Sequence, residues 1–242
     1  MAKVVVFVLI IAIIAIVVVV VLVGNRQLDP QTGCPKKPSR TQISLSIALD
    51  ATDPYGPGQR REIVNKVWKT VDELNTYDRV RVYMIQQGEQ IPLLDACKPG
   101  RELQHSPIER LLREESFKAK VDQALEHLQG TENNSPIIES LGWIAANHNR
   151  DGSQRRILLV SDLIEHSDVL SHYSPNWLDS YEENRVRIHN QCPNLDDVDI
   201  DILFGARPSI PTQELNLVNW WESYLSACGG TVNSIVKITG VN

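Results

Sequence analysis

The chain opens on an unbroken apolar run, Val4 to Val23, and changes rhythm beyond Arg40. From there, short apolar stretches alternate with longer amphipathic ones. Ile43 to Leu49, Arg79 to Ile85, Arg155 to Val160, Val198 to Phe204 and Thr231 to Ile238 are predicted strands. Gln90 to Leu94 follows Gly88-Glu89 so closely that it must pair antiparallel with the strand before it. Gln59 to Asn75 puts Ile63, Val67, Trp68, Val71 and Leu74 on one helical face. Ser116 to Gln129 does the same with Phe117, Val121, Leu125 and Leu128. Pro136 to Asn147 is a predicted helix with Pro in its first turn and Ser135 placed to cap it. Tyr181 to Gln191 and Thr212 to Ala227 are predicted helices, the latter stopped by Gly229-Gly230. Lys98 to Pro107 and Leu163 to Tyr181 read as loops.

Strands alternating with helices specify an α/β fold. The expected architecture is a three-layer, Rossmann-like, doubly wound sheet, mostly parallel with one antiparallel edge strand. Three regions follow: an anchor over 1–24, a linker over 25–41 containing three prolines, and one domain over 42–242. The Val4–Val23 run matches the roughly 20 residues needed to cross a bilayer as a helix. Gly24-Asn25-Arg26 after it offers no small-x-small cleavage site, so the run reads as an uncleaved single-pass anchor. Its flanking charges, Lys3 before and Arg26, Lys36, Lys37 and Arg40 after, would keep the domain cytoplasmic by count. The net charge of −6, with no basic cluster interleaved with aromatics, argues against a nucleic-acid partner.

Candidate chemistry gathers at strand ends. Asp50, Thr52 and Asp53 follow the first predicted strand, Ser161 and Asp162 the fourth, and Ser135 precedes a helix. In open α/β sheets ligands collect at the carboxyl ends of strands. Carboxylates and hydroxyls are the ligands a hard cation such as Mg²⁺ prefers. The acidic run Asp196 to Asp201 alternates with Val198, Ile200 and Ile202, which fits a strand with one wet face better than a calcium loop. Of Trp220 and Trp221, one ring is expected in the core and the other over an adjacent loop.

Asp50-Ala51-Thr52-Asp53-Pro54, Ser135-Pro136 and Leu158-Leu159-Val160-Ser161-Asp162 together resemble the three loops of the von Willebrand factor type A (VWA) family. That family's metal-ion-dependent adhesion site has Asp-x-Ser-x-Ser, then Thr, then Asp after a hydrophobic strand. The resemblance implies a metal site at Asp50, Thr52, Ser135 and Asp162, taking Mg²⁺, and degenerate where Pro54 replaces the last Ser hydroxyl. It implies a protein-binding module rather than an enzyme, with Asp53, Glu165 and His166 as partner-contacting residues. The same loops, with Cys97-Lys98-Pro99-Gly100, look like a group of bacterial membrane-anchored proteins carrying this domain.

That likeness bears on the four cysteines. Cys34 precedes the first strand and Cys97 follows the third, which runs the opposite way, so both reach one end of the sheet. Two strand spacings, about 10 Å, separate them unless the loops close in, and a disulfide needs Cα atoms within about 7 Å. A Cys34–Cys97 bridge and free thiols therefore both remain open, while Cys228 at a helix end reads as a free thiol. A bridge would place the domain in an oxidising, periplasmic or extracytoplasmic compartment, and a long domain can be exported despite modest flanking charge. The expected role is an adaptor or assembly component of a membrane complex, with protein partners. The alternative is a metal-dependent hydrolase, although Thr52 stands where a phosphatase of the Asp-x-Asp type needs its second carboxylate.

Overall fold

The computed structural model describes residues 13–14, 28–37, 42–52, 54–100, 106–129, 134–147, 154–174, 176–205 and 214–240. Apart from Ile13 and Ile14, the Val4–Val23 run lies outside them. No helix among the described residues is long and apolar enough to cross a membrane.

Six strands form one sheet: β1 (Ile43–Leu49), β2 (Arg79–Met84), β3 (Pro92–Cys97), β4 (Gln154–Ser161), β5 (Val198–Gly205) and β6 (Thr231–Ile238), in the order β3-β2-β1-β4-β5-β6. All pairs are parallel except β2 with β3. Five helices are described: α1 (Pro57–Glu73), α2 (Pro107–Leu125), α3 (Ile137–Asn147), α4 (Trp177–Asn190) and α5 (Glu214–Ala227).

The pleat sorts side chains into two cores. Leu45, Ile47 and Leu49 of β1 join Val67 of α1 and Val121 of α2 on one face. Ala48 of the same strand joins Ile144 of α3, Ile188 of α4 and Trp221 of α5 on the other. Helices thus cover both faces, as the near-continuous apolar strands require. Trp220 and Trp221 are both buried in this second core, and the Trp221 indole also serves a loop by donating to the Leu163 carbonyl at 2.7 Å.

Three element boundaries differ most from expectation, one of them that of α4, which begins at Trp177 inside the segment read as a loop. β3 is the edge strand Pro92–Cys97, displaced toward the C-terminus, because Asp95 pairs across to Arg79 and Arg81. α2 begins nine residues before Ser116, at Pro107, where Ser106 and Glu109 cap each other's backbone N–H.

The segment expected as a plain linker is folded over residues 28–37. Asp29 accepts hydrogen bonds from the Gln31 and Thr32 N–H groups, and the Thr32 carbonyl accepts from Cys97 N–H at 2.9 Å. This docking closes the strand-spacing gap, and Cys34 is bonded to Cys97 with a Cα–Cα separation of 4.9 Å. Cys228 is not a free thiol. It is bonded to Cys192, Cα–Cα 5.4 Å, joining the C-terminal ends of α4 and α5.

Candidate functional site

β1 is the point at which the winding reverses. The chain leaves β1 for α1 on one face and leaves β4 for α4 on the other. A crevice therefore opens above the carboxyl ends of β1 and β4, the usual place for a ligand in such sheets. Asp50 lies on the β1 side, its N–H still in register with the Val160 carbonyl at 2.8 Å. Ser161 and Asp162 lie on the β4 side.

Asp50 is the hub. Its Oδ1 accepts from Thr52 Oγ1 at 2.8 Å and from Thr52 N–H at 3.2 Å. Its Oδ2 accepts from Ser135 Oγ at 2.8 Å and from Ser161 Oγ at 2.6 Å. Three chain segments far apart in sequence thus converge on one carboxylate that is only 2 % exposed. Asp162 is also buried, and its Oδ1 accepts from Ile164 N–H at 2.9 Å. Burial, and then the charge of nearby Asp50, push the Asp162 carboxyl up to about 7.

Two tyrosines flank the couple. Tyr55 is buried, with its ring laid against Gly205 at the end of β5, where a Cβ would collide with it. Its hydroxyl is raised well above the ordinary tyrosine range by burial and by the charges of Asp50 and Asp162. Tyr173 is half exposed, and burial and the same two charges raise its hydroxyl too.

The loop after Asp162 is tightly held. Leu163 takes a positive φ of 64°, uncommon for a residue with a side chain. Its carbonyl receives Trp221, and His172 Nδ1 accepts the Glu165 N–H at 3.0 Å. The backbones of His166 and Ser135 pair in both directions, at 2.9 and 3.2 Å. His172 is buried and held neutral, its imidazole lowered by burial to about 4.

The structure brings Asp50, Thr52, Ser135 and Asp162 to one rim. His166 is half-buried beside it, its Nδ1 on Ser171 Oγ at 3.0 Å and its ring edge-on to Tyr173. Glu165 must be corrected. It has no exposed surface, and its Oε2 accepts from Ile138 N–H at 3.0 Å in the first turn of α3. It cannot touch a partner, because it is a buried cap at a helix N-terminus, where a carboxylate is favoured. Burial nevertheless raises it to about 7. Asp53 lies outside the described residues. Pro54 is exposed and supplies no hydroxyl. Tyr55 and Tyr173 are additions that the sequence reading passed over, and Ser161, noted there only as a polar strand end, joins the site as a donor to Asp50.

Among the described residues no group of three or more His, Cys, Asp or Glu side chains is placed to hold a metal ion. The rim offers another donor set. A hydroxyl that gives its proton to Asp50 keeps its lone pairs, so Thr52 Oγ1 and Ser135 Oγ remain oxygen donors beside two carboxylates. That set fits a hard, oxygen-preferring cation that retains several waters.

No protein-family model matches the chain, and no curated protein matches it in sequence. Among solved structures it is similar to the human COPII-coat protein Sec24c, with a TM-score of 0.38 and 9% identity. The match covers 84% of this chain and 30% of that one, so the chain spans less than a third of the coat protein's length.

Proposed function

We propose that the chain is a membrane-tethered, VWA-type protein-binding module whose contact surface is the rim of Asp50, Thr52, Ser135 and Asp162. The observation that carries this reading is the buried Asp50–Asp162 couple at the winding reversal, with its hydroxyl donors turned inward. Two neighbouring carboxylates out of water repel, and a cation relieves them. A Mg²⁺ ion would be held by Thr52 and Ser135 with Asp50 and Asp162 around it, and would present an open coordination position to an acidic side chain of the partner. His166 and Tyr173 border that position.

The mixed sheet, the order of the three loops and the spacing of their residues support the VWA assignment over a generic Rossmann-like fold. Binding is favoured over the hydrolase alternative because Thr52 stands where a phosphatase of the Asp-x-Asp type needs its second carboxylate. Val4 to Val23 supplies the tether. Both disulfides suit an oxidising compartment, which supports an extracytoplasmic domain.

The test is quantitative capture of partners by the full chain in mild detergent. Thr52→Ala and Asp162→Asn are each expected to reduce recovery of the principal partner at least tenfold, and a chelator to do the same to the wild type. Equal recovery from all samples would remove the rim as the interface.

A further inference from the structure

The first turns of α2 carry an apolar face that looks away from the core. Phe117, Val121, Ala124 and Leu125 face inward. Ile108 and, one helical turn on, Leu111 and Leu112 point the other way and are 70%, 56% and 58% exposed. Glu115, one turn beyond Leu111, ends the stripe. A helix apolar on two opposite sides has a second surface to bury.

Its neighbourhood says against what. Leu112 and Arg113 share a groove of about 470 Å³ with Leu28 and the Pro30–Gly33 turn. Leu28 stands five residue steps after Val23, the last residue of the apolar run. Five steps of extended chain reach at most about 18 Å. If the run spans a bilayer, the Leu28 edge of this groove lies within that reach of the bilayer surface. Cationic groups sit here too: Arg113 and Lys120 on the groove, and exposed Lys36 and Lys37 just past the Cys34–Cys97 bond. Basic groups beside exposed aliphatics are the make-up of a helix that lies in a membrane interface.

We propose that the Ile108–Leu112 turn of α2 docks on the membrane surface, inserting its three aliphatic side chains among anionic lipids. This rests on the tether reading of Val4–Val23. The bond from Cys34 to Cys97 fixes the incoming chain at the same end of the sheet. That end is opposite the rim, because β3 runs antiparallel to β1 and β2. Strands of this length hold the two ends roughly 20 Å apart. Docking by α2 therefore turns the Asp50–Asp162 rim away from the bilayer, toward a partner in the aqueous phase.

The experiment uses the full chain reconstituted into phosphatidylethanolamine–phosphatidylglycerol vesicles. All four native cysteines are bonded, so Leu111→Cys and, as an exposed reference on α4, Asp179→Cys each provide one thiol for a nitroxide label. Collision with oxygen and with a water-soluble nickel chelate is measured at each site. The label at 111 is expected to favour oxygen over nickel severalfold more than the label at 179. Equal nickel access at both sites, in vesicles from which alkaline carbonate does not extract the protein, overturns the docking and leaves the tether intact. Extraction by carbonate overturns the tether and the docking with it. Dipolar broadening at 111 that disappears on dilution with unlabelled chain assigns the stripe to a second copy and overturns the lipid assignment.

Discussion

Replacing both Cys192 and Cys228 by alanine is expected to lower the free energy of unfolding by about 4 kcal/mol. The estimate follows from the 36-residue separation that this bond closes. The two residues terminate α4 and α5, helices that pack side by side in one core with Ile188, Trp221 and Leu225. Breaking the bond frees the denatured chain without letting any part of the folded domain relax to compensate. Against a typical total of about 5–15 kcal/mol, the loss is large. Guanidinium denaturation reads it as a lowered midpoint, and an unchanged midpoint would mean that the pair is not bonded. Cys34–Cys97 closes a longer loop, with a separation of 63 residues. Its removal is expected to cost a similar amount, again about 4 kcal/mol.

The second large effect is an inverted pH dependence. Between about pH 4.5 and 6.5 the folded domain keeps Asp162 and Glu165 protonated, while the unfolded chain ionises both. His172 works the other way, being neutral when folded and charged when unfolded. Asp29, lowered by backbone hydrogen bonds, and Asp95, held low by its arginines against the effect of burial, titrate below this window. Two raised acids against one lowered histidine leave the folded state holding about one extra proton. Stability then falls as pH rises, by about 1.4 kcal/mol per pH unit. Asp162→Asn removes one of the two acids and is expected to flatten the slope to near zero. Denaturation at pH 5 and pH 6.5 gives both slopes, and a wild-type domain more stable at the higher pH would refute the assignment.

Much of the fold was legible because its signals are local. Ile43–Leu49 and Val198–Phe204 announce strands through apolar continuity and alternation, and the acidic residues among the latter did not disguise it. The start of α2 was not legible, because Ile108, Leu111 and Leu112 follow a helical rhythm that is out of phase with the core face at Phe117 and Val121. The Cys192–Cys228 bond has no signature in spacing, since packing of two helices brings its ends together.

The site divides the same way. Asp50, Ser135 and Asp162 could be found because each adjoins an element whose end falls on the same rim. Tyr55 and Tyr173 could not, because loops carry them there after the sheet is formed. Glu165 misled for a general reason. A charged residue in a polar loop reads as surface, yet here the free N–H groups of α3 draw it inward.

The proposed cation site turns on one charge, the carboxyl of Asp162. Its titration can be followed by carbon-13 NMR of the side-chain carboxyl, with Asp162→Asn giving the assignment. The expected midpoint lies near 7 in the absence of divalent cation and falls when Mg²⁺ is added, because a bound cation favours the ionised form. A midpoint in the ordinary carboxylate range, unmoved by Mg²⁺, would contradict a buried acidic couple that a cation completes.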